Sequence, residues 1–269
     1  MFVGKIGEDC MGHLIREKMA GYGVSMDGCV MDPMHFTTQA FVTLDKDGER
    51  SFSFSRRFGA DIWLREEELP IEKAVASSMA AFSGMCMTDE PVRSATWRFL
   101  RAVYDKKIPI VLDVNYRYNL WKSEEDMIRI MRETLPYVTL YKSSEEEACL
   151  LAGAESWDRA AEMLSGYGCR IVIITLGEKG SYYYMDGRAG LIESYPIEAV
   201  DTTGAGDCFF AGLLYQIKKK GGIDKIVSED FPQILSFANA AGALAATKRG
   251  GTKGSPSLQE VTSFLAERK

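Results

Sequence analysis

From Ser77 onward, short β-rich apolar runs alternate with longer stretches whose apolar residues recur at helical spacing. Residues 79–82, 109–113, 138–141 and 170–175 read as strands, and residues 90–106, 123–135, 145–151 and 156–166 as helices. This alternation predicts an α/β fold, a doubly wound, mostly parallel sheet with helices on both faces. Two further β-rich runs, 182–185 and 191–195, precede helices predicted at 207–220 and 231–247. The first of these is apolar all round at its start and is expected to be buried.

One region breaks the alternation. Two β-rich runs, 37–44 and 50–56, flank the turn signal Asp45-Lys46-Asp47-Gly48, which predicts an antiparallel hairpin. The expected division is an α/β core formed by 1–35 and 61–269 with a β-hairpin lid at 36–60. The plainer alternative is a hairpin that only extends the sheet edge. Such a hairpin pairs readily with its copy, so a homodimer through the lid is expected.

Composition narrows the range of partners. The 269 residues carry a formal charge of −6 with Lys and Arg scattered, so no basic stripe is available for nucleic acid. No apolar run reaches the roughly 18 residues that span a bilayer, and the first ten residues lack a signal-like core, so a cytoplasmic protein with no membrane partner is expected. The cysteines include no C-x-x-C pair, which argues against a zinc knuckle or a disulfide framework.

The candidate chemistry centres on Asp201-Thr202-Thr203-Gly204-Ala205-Gly206-Asp207, between a strand-like run at 195–200 and the buried helix. Gly204 and Gly206 allow a tight turn that brings unpaired amides of a first helical turn to an anion. A carboxylate in such a phosphate cradle makes sense if it works on the acceptor. Asp207 would take a hydroxyl proton as the oxygen attacks a γ-phosphorus, while the amides of Gly204, Ala205, Gly206 and Asp207 stabilise the transferring charge. The alternative is a helix N-cap, worth about 1 kcal/mol.

A second tight loop, 176–180, falls at the end of the buried run 171–175, where ligands bind in parallel sheets, although an ordinary strand-to-strand turn reads the same way. The small-residue face of 237–246 would admit an adenine ring or serve close helix packing. Gly7 to His13 has Walker A glycine spacing without its Lys and Ser/Thr, and no G-x-G-x-x-G follows a strand. With His13 and His35 alone, a histidine metal site or a Ser-His-Asp triad has little to draw on.

The 201–209 segment resembles the second signature of the ribokinase-like (phosphofructokinase-B-type) carbohydrate kinases. Gly4 to Gly12 is similar to that family's early G-x-x-G-x-D-x-x-G segment, which makes the Walker near miss a structural turn. Asp113-Val114-Asn115-Tyr116-Arg117 with Leu120-Trp121 resembles the D-x-N-x-R-x-x-L-W run of fructokinases and 2-keto-3-deoxygluconate kinases. Residues 142–147 resemble the N-x-x-E region, with Ser144 in place of Asn.

The resemblance implies ATP and Mg2+ as cofactors, with Thr175, Gly177, Gly180, Ser144 and Asn239 toward ATP and Glu147 organising magnesium indirectly. It implies an anion hole at Gly204 to Gly206 and Asp207 as base. It also implies a monovalent cation, K+, near Asp201 and Thr203. Residues 48–56 look like a fructokinase lid, so Phe54 and Arg56, with Arg117, would reach the sugar; for either arginine the alternative is a surface ion pair.

The resemblance breaks at the front, where the family's first strand and its G-G-x-x-x-N loop have no counterpart, so a shortened chain is expected. The leading expectation is a sugar kinase converting fructose to fructose 6-phosphate. A 2-keto-3-deoxygluconate kinase is the nearest enzymatic alternative, and a kinase-like binding protein without catalysis is the alternative of another class.

Overall fold

Residues 1–44 and 50–268 are described by the structure, a computed structural model. The turn expected at 45–48 lies outside the described residues. The chain divides into two compact units. The first comprises Met1–Ser77, Cys86–Lys107 and Asn119–Lys122, and the second Ser78–Met85, Ile108–Tyr118 and Ser123–Lys269.

In the first unit, β1 (Val3–Gly7) leads through α1 (Cys10–Gly21) to β2 (Gly28–Asp32), which pairs with β1 in parallel from Val3↔Gly28 to Gly7↔Asp32. Asp9 caps α1 by accepting from the Gly12 amide at 2.8 Å, and it also accepts from the amide and hydroxyl of Thr37 at 2.7 and 2.8 Å. Burial would raise this carboxyl, but the donors outweigh it and hold Asp9 below the usual carboxylate range. The glycine-spaced turn is thus a helix cap tied to Thr37.

β3 (Gln39–Leu44) and β4 (Arg50–Ser55) form the antiparallel hairpin, in register from Gln39↔Ser55 to Leu44↔Arg50. It is a two-stranded sheet of its own. After the short α2 (Ile71–Ala74), α3 (Val92–Asp105) buries Val92, Ala95, Thr96, Leu100 and Val103, the spacing of one helical face. Val92 and Ala95 pack with Ile62 and Leu64.

The second unit is built on a six-stranded sheet. Its strands are β5 (Ala80–Ser83), β6 (Ile110–Asp113), β7 (Leu140–Ser144), β8 (Ile171–Thr175), β9 (Ser181–Met185) and β10 (Arg188–Ile192), in sequential spatial order. β5 to β8 are parallel, and β9 and β10 are added antiparallel. Between the strands lie α4 (Glu124–Thr134), α5 (Glu145–Ala152) and α6 (Trp157–Gly166), and after them α7 (Ala205–Lys219), α8 (Phe231–Ala246), α9 (Gly251–Gly254) and α10 (Leu258–Ala266).

Every residue of β6 and the first four of β8 are buried, as expected of strands covered on both faces. Val111, Leu140, Ile171 and Ile173 pack in one cluster with Leu213 and Ile217 of α7 and Ile234 and Leu235 of α8. α6 packs on β8 and β9. Burying a side chain of this size contributes about 1.5–3 kcal/mol, so this sandwich dominates the unit's stability.

The strand-like run at 195–200 is no strand. Its neighbours' backbone groups are taken by α8: Asn239 donates to the carbonyls of Ile192 and Glu193, and the amides of Val200 and Asp201 donate to the Ala246 carbonyl. Tyr195 and Ile197 pack against the cluster of Phe237, Val261 and Phe264. The alternating apolar residues that suggested a strand serve a segment laid along a helix.

Candidate active site

The glycine turn is tied at both ends. Asp201 accepts from the Thr203 amide at 2.8 Å and from the Gly250 amide at 2.9 Å, joining the start of the turn to the loop before α9. Gly204 is the N-cap of α7 with φ +81°, and a Cβ there would lie 3.1 Å from the Gly251 Cα. Left-handed backbone and close approach of a second loop together demand glycine.

The helix begins two residues before Asp207, which stands in the first turn and is not its cap. Its side chain is exposed and makes no hydrogen bond among the described residues. The capping alternative is therefore excluded by the local geometry. The Ala205 amide is used, donating to the Thr202 carbonyl at 3.1 Å. The amides of Gly206 and Asp207 have no acceptor among the described residues, which leaves two first-turn donors at the positive end of the helix dipole.

Beside this turn lie the carboxyl ends of the parallel strands. Asp113 ends β6 and is in register with Lys142 on β7, and Ser144 is in register with Thr175 on β8. Lys142 Nζ lies 3.0 Å from Asp113 Oδ1, both side chains being 8% exposed. The same Nζ is 3.6 Å from the position a Cβ on Gly206 would occupy. Burial pushes the Asp113 carboxyl up; Lys142 opposes the rise, and Glu147 and Asp207 add to it. Asp113, Lys142, Glu147 and Asp207 therefore share one electrostatic neighbourhood.

Glu147 has a structural role in this geometry. Ser144 caps α5, its hydroxyl accepting from the Glu147 amide at 3.2 Å while Glu147 accepts from the Ser144 amide at 2.8 Å. The other carboxylate oxygen accepts from the Tyr116 amide at 2.6 Å. Glu147 so ties the loop after β6, where Asn115 has φ 44°, to the start of α5. Among the described residues no group of three His, Cys, Asp or Glu side chains could enclose a metal ion. The unspent amides of Gly206 and Asp207 would hold phosphate oxygens, and an ion that fits beside them is one bound through such oxygens and water.

The remaining predicted nucleotide residues cluster on the turn from β8 to β9 and on α8. The Thr175 hydroxyl donates to the Ser143 carbonyl at 3.1 Å, and Gly177 and Gly180 bound a tight turn whose Leu176 amide donates to the Gly180 carbonyl. Gly180, at φ +109°, passes so close to the Ile192 carbonyl that no side chain fits. Asn239 is buried, its amide committed to the carbonyls of Ile192 and Glu193.

Phe54 and Arg56 belong to the first unit and Arg117 to the second. Phe54 lies on β4, half-buried, opposite Ala40. Arg56 is 5% exposed and donates to Asp61 and to the Thr88 hydroxyl, each at 2.7 Å, with Asp89 at 3.6 Å. It is held in a buried network, which is not the surface ion pair that was its alternative. Arg117 donates to the Tyr116 carbonyl at 2.8 Å.

The pair Asp113–Lys142 was not singled out from sequence. Asp113 stood in a recognisable run, but nothing in the sequence marks Lys142 as buried. The available signal was its place at the carboxyl end of an apolar strand, where a charged residue must find a partner.

Comparison with known proteins matches this architecture throughout. The profile described as "pfkB family carbohydrate kinase" matches residues 1–258. The chain is 35% identical over 268 residues to a protein of Arabidopsis thaliana named probable fructokinase-4, covering 98% of this chain and 81% of that one. Among solved structures, a fructokinase of Xylella fastidiosa with bound ATP superposes with a TM-score of 0.90 at 28% identity, covering 100% of this chain and 85% of the other. A fructokinase of Vibrio cholerae with fructose, ADP and calcium ion bound superposes with a TM-score of 0.87 at 26% identity, covering 98% and 84%. The chain belongs to the pfkB family of carbohydrate kinases and is a sugar kinase.

Proposed function

We propose that the protein transfers the γ-phosphoryl group of ATP to a hydroxyl of fructose, giving fructose 6-phosphate and ADP. The observation that carries the reading is the Asp207 carboxylate, free of hydrogen bonds among the described residues, one residue beyond Gly206 at a helix start whose two amides find no acceptor there. The names of the matched relatives favour fructose as the acceptor.

As the hydroxyl oxygen bonds to the γ-phosphorus, its proton passes to Asp207. The bond between the γ-phosphorus and the β,γ-bridging oxygen breaks, and that oxygen leaves on ADP. The Gly206 and Asp207 amides stabilise the charge on the transferring group, with Gly204 shaping the turn and Ala205 closing it. Thr175, Gly177, Gly180, Ser144 and Asn239 line the approach of the nucleotide, and Arg117 of the same unit serves the sugar. Bound magnesium supplies neutralisation of phosphate charge, and Glu147 acts on it only indirectly by holding the loop after β6. Asp201 and Thr203 flank the place for K+.

An ADP-release assay over fructose, 2-keto-3-deoxygluconate, ribose and nucleosides tests the acceptor. Fructose should give the highest kcat/KM; a higher value for the sugar acid would refute the substrate. Asp207→Ala should remove turnover with ATP binding kept, because the side chain caps nothing. Turnover surviving at the parent rate would defeat the base assignment.

The reading includes a cytoplasmic homodimer through the hairpin. Its support is the exposure of Phe41 and Val42 on β3 and of Phe58 just beyond β4. Phe41→Glu should convert a dimer to a monomer by light scattering, and an unchanged mass would refute the lid interface.

A further inference from the structure

An ammonium carries three N–H donors, and burying it is costly unless it is paired and those donors are used. Lys142 breaks that expectation. Its side chain is more than nine-tenths buried, yet among the described residues its one hydrogen bond is to Asp113, at 3.0 Å. Two donors remain unspent. The ammonium stands against the first turn of α7, 3.6 Å from the position of a Cβ on Gly206, whose own amide has no acceptor among the described residues.

The charge balance makes the arrangement more specific. Glu147 and Asp207 are near enough to act on the Asp113 carboxyl, and Lys142 is the cation that opposes their effect on it. Lys142 thus sets an ammonium beside the Gly206 position in a neighbourhood that holds the Asp113, Glu147 and Asp207 carboxylates. With Lys142, the cradle has two amides and a preorganised ammonium held in place by a buried partner.

We propose that Lys142 is a further phosphoryl-binding residue, directing its two unspent N–H donors to non-bridging oxygens of the γ-phosphoryl group, with Asp113 as the positioning residue that holds it. The proposal rests on the kinase reading above. It adds a residue from the β7 terminus to a hole otherwise made by the backbone of α7.

The test compares the affinities of β,γ-imido-ATP and ADP, each with magnesium, by calorimetry in the parent, Lys142→Met, and the double variant Lys142→Met/Asp113→Asn. Loss of a γ-phosphoryl contact should weaken the triphosphate analogue about tenfold or more and ADP only slightly, and loss of one oxyanion donor lowers kcat about a hundredfold or more. The double variant leaves no buried charge unpaired, so it should recover thermal stability while keeping the nucleotide defect. Should the single variant fail to fold, the double variant reads the same affinity ratio.

Equal weakening of both nucleotides, or recovery of triphosphate affinity in the double variant, would overturn the proposal and leave Lys142 as a counter-ion for Asp113. The two readings fail separately. A parent protein that binds both nucleotides but phosphorylates no sugar defeats the kinase assignment, whereas the affinity ratio still decides the role of Lys142.

Discussion

Replacing Gly206 by alanine separates stability from catalysis at one atom. Gly206 is the second residue of α7, and its φ is not in the left-handed region. The one heavy atom near the added Cβ is Lys142 Nζ at 3.6 Å, an ordinary contact, so the substitution carries no steric cost in the folded protein. Alanine in place of glycine in a helix gains about 0.5–1 kcal/mol from the reduced entropy of the unfolded chain. For a chain of this size that gain raises Tm by about 1–4 °C.

The same methyl group stands 3.6 Å from the Lys142 ammonium, on the residue that carries one of the two unspent amides. A phosphoryl oxygen shared by the ammonium and the Gly206 amide would meet that methyl group, and losing one such donor costs about a hundred- to a thousandfold in kcat. Thermal denaturation and ADP release on one preparation measure both effects. The expected variant is more stable and nearly inactive. Parent-rate turnover would refute the assignment of phosphoryl transfer to this turn, and a lowered Tm would refute the claim that the methyl fits.

Three further outcomes follow from the geometry. Glu147→Ala removes a carboxylate that accepts from the Tyr116 and Ser144 amides; charge-assisted bonds of this kind are worth about 1.5–3 kcal/mol each, so urea denaturation should show a loss of that order, and an unchanged midpoint would refute the tether. The Glu260 carboxyl is lowered to about 2, first by the Lys248 hydrogen bond and then by the Ser257 amide and hydroxyl. It therefore favours the folded state above its unfolded value of 4.5, and that contribution fades as pH falls toward about 2. Lys248→Met should move its NMR titration upward, and an unmoved curve would refute the pairing. Burial pushes the Cys169 thiol up to about 12 whereas Cys10 is exposed, so iodoacetamide should modify Cys10 in the native protein and Cys169 only on unfolding. Early modification of Cys169 would contradict its burial.

Much of the second unit was legible from residue order. The runs at 109–113 and 170–175 appear as β6 and β8 because residues buried on both faces must be continuously apolar. The helices at 123–135 and 156–166 appear within a residue or so of their predicted limits, since the 3.6 period marks their buried faces. The run at 195–200 misled because an alternating apolar pattern records which side chains are buried, not which backbone groups pair. There α8 supplies the partners.

What the sequence by itself determined is the set of elements, their order and the glycine turn with its acid, because each segment's need to bury apolar side chains and turn tightly is written locally. Tertiary structure alone decided what that acid stands beside. Asp207 does not cap its helix because α7 starts at Ala205 with Gly204 as its N-cap, and Gly251 of a second loop lies so close that a side chain at Gly204 would crowd it. The buried Asp113–Lys142 pair depended on the register of β6 against β7. Register is set by how the whole sheet closes over its core, so no single segment carries it.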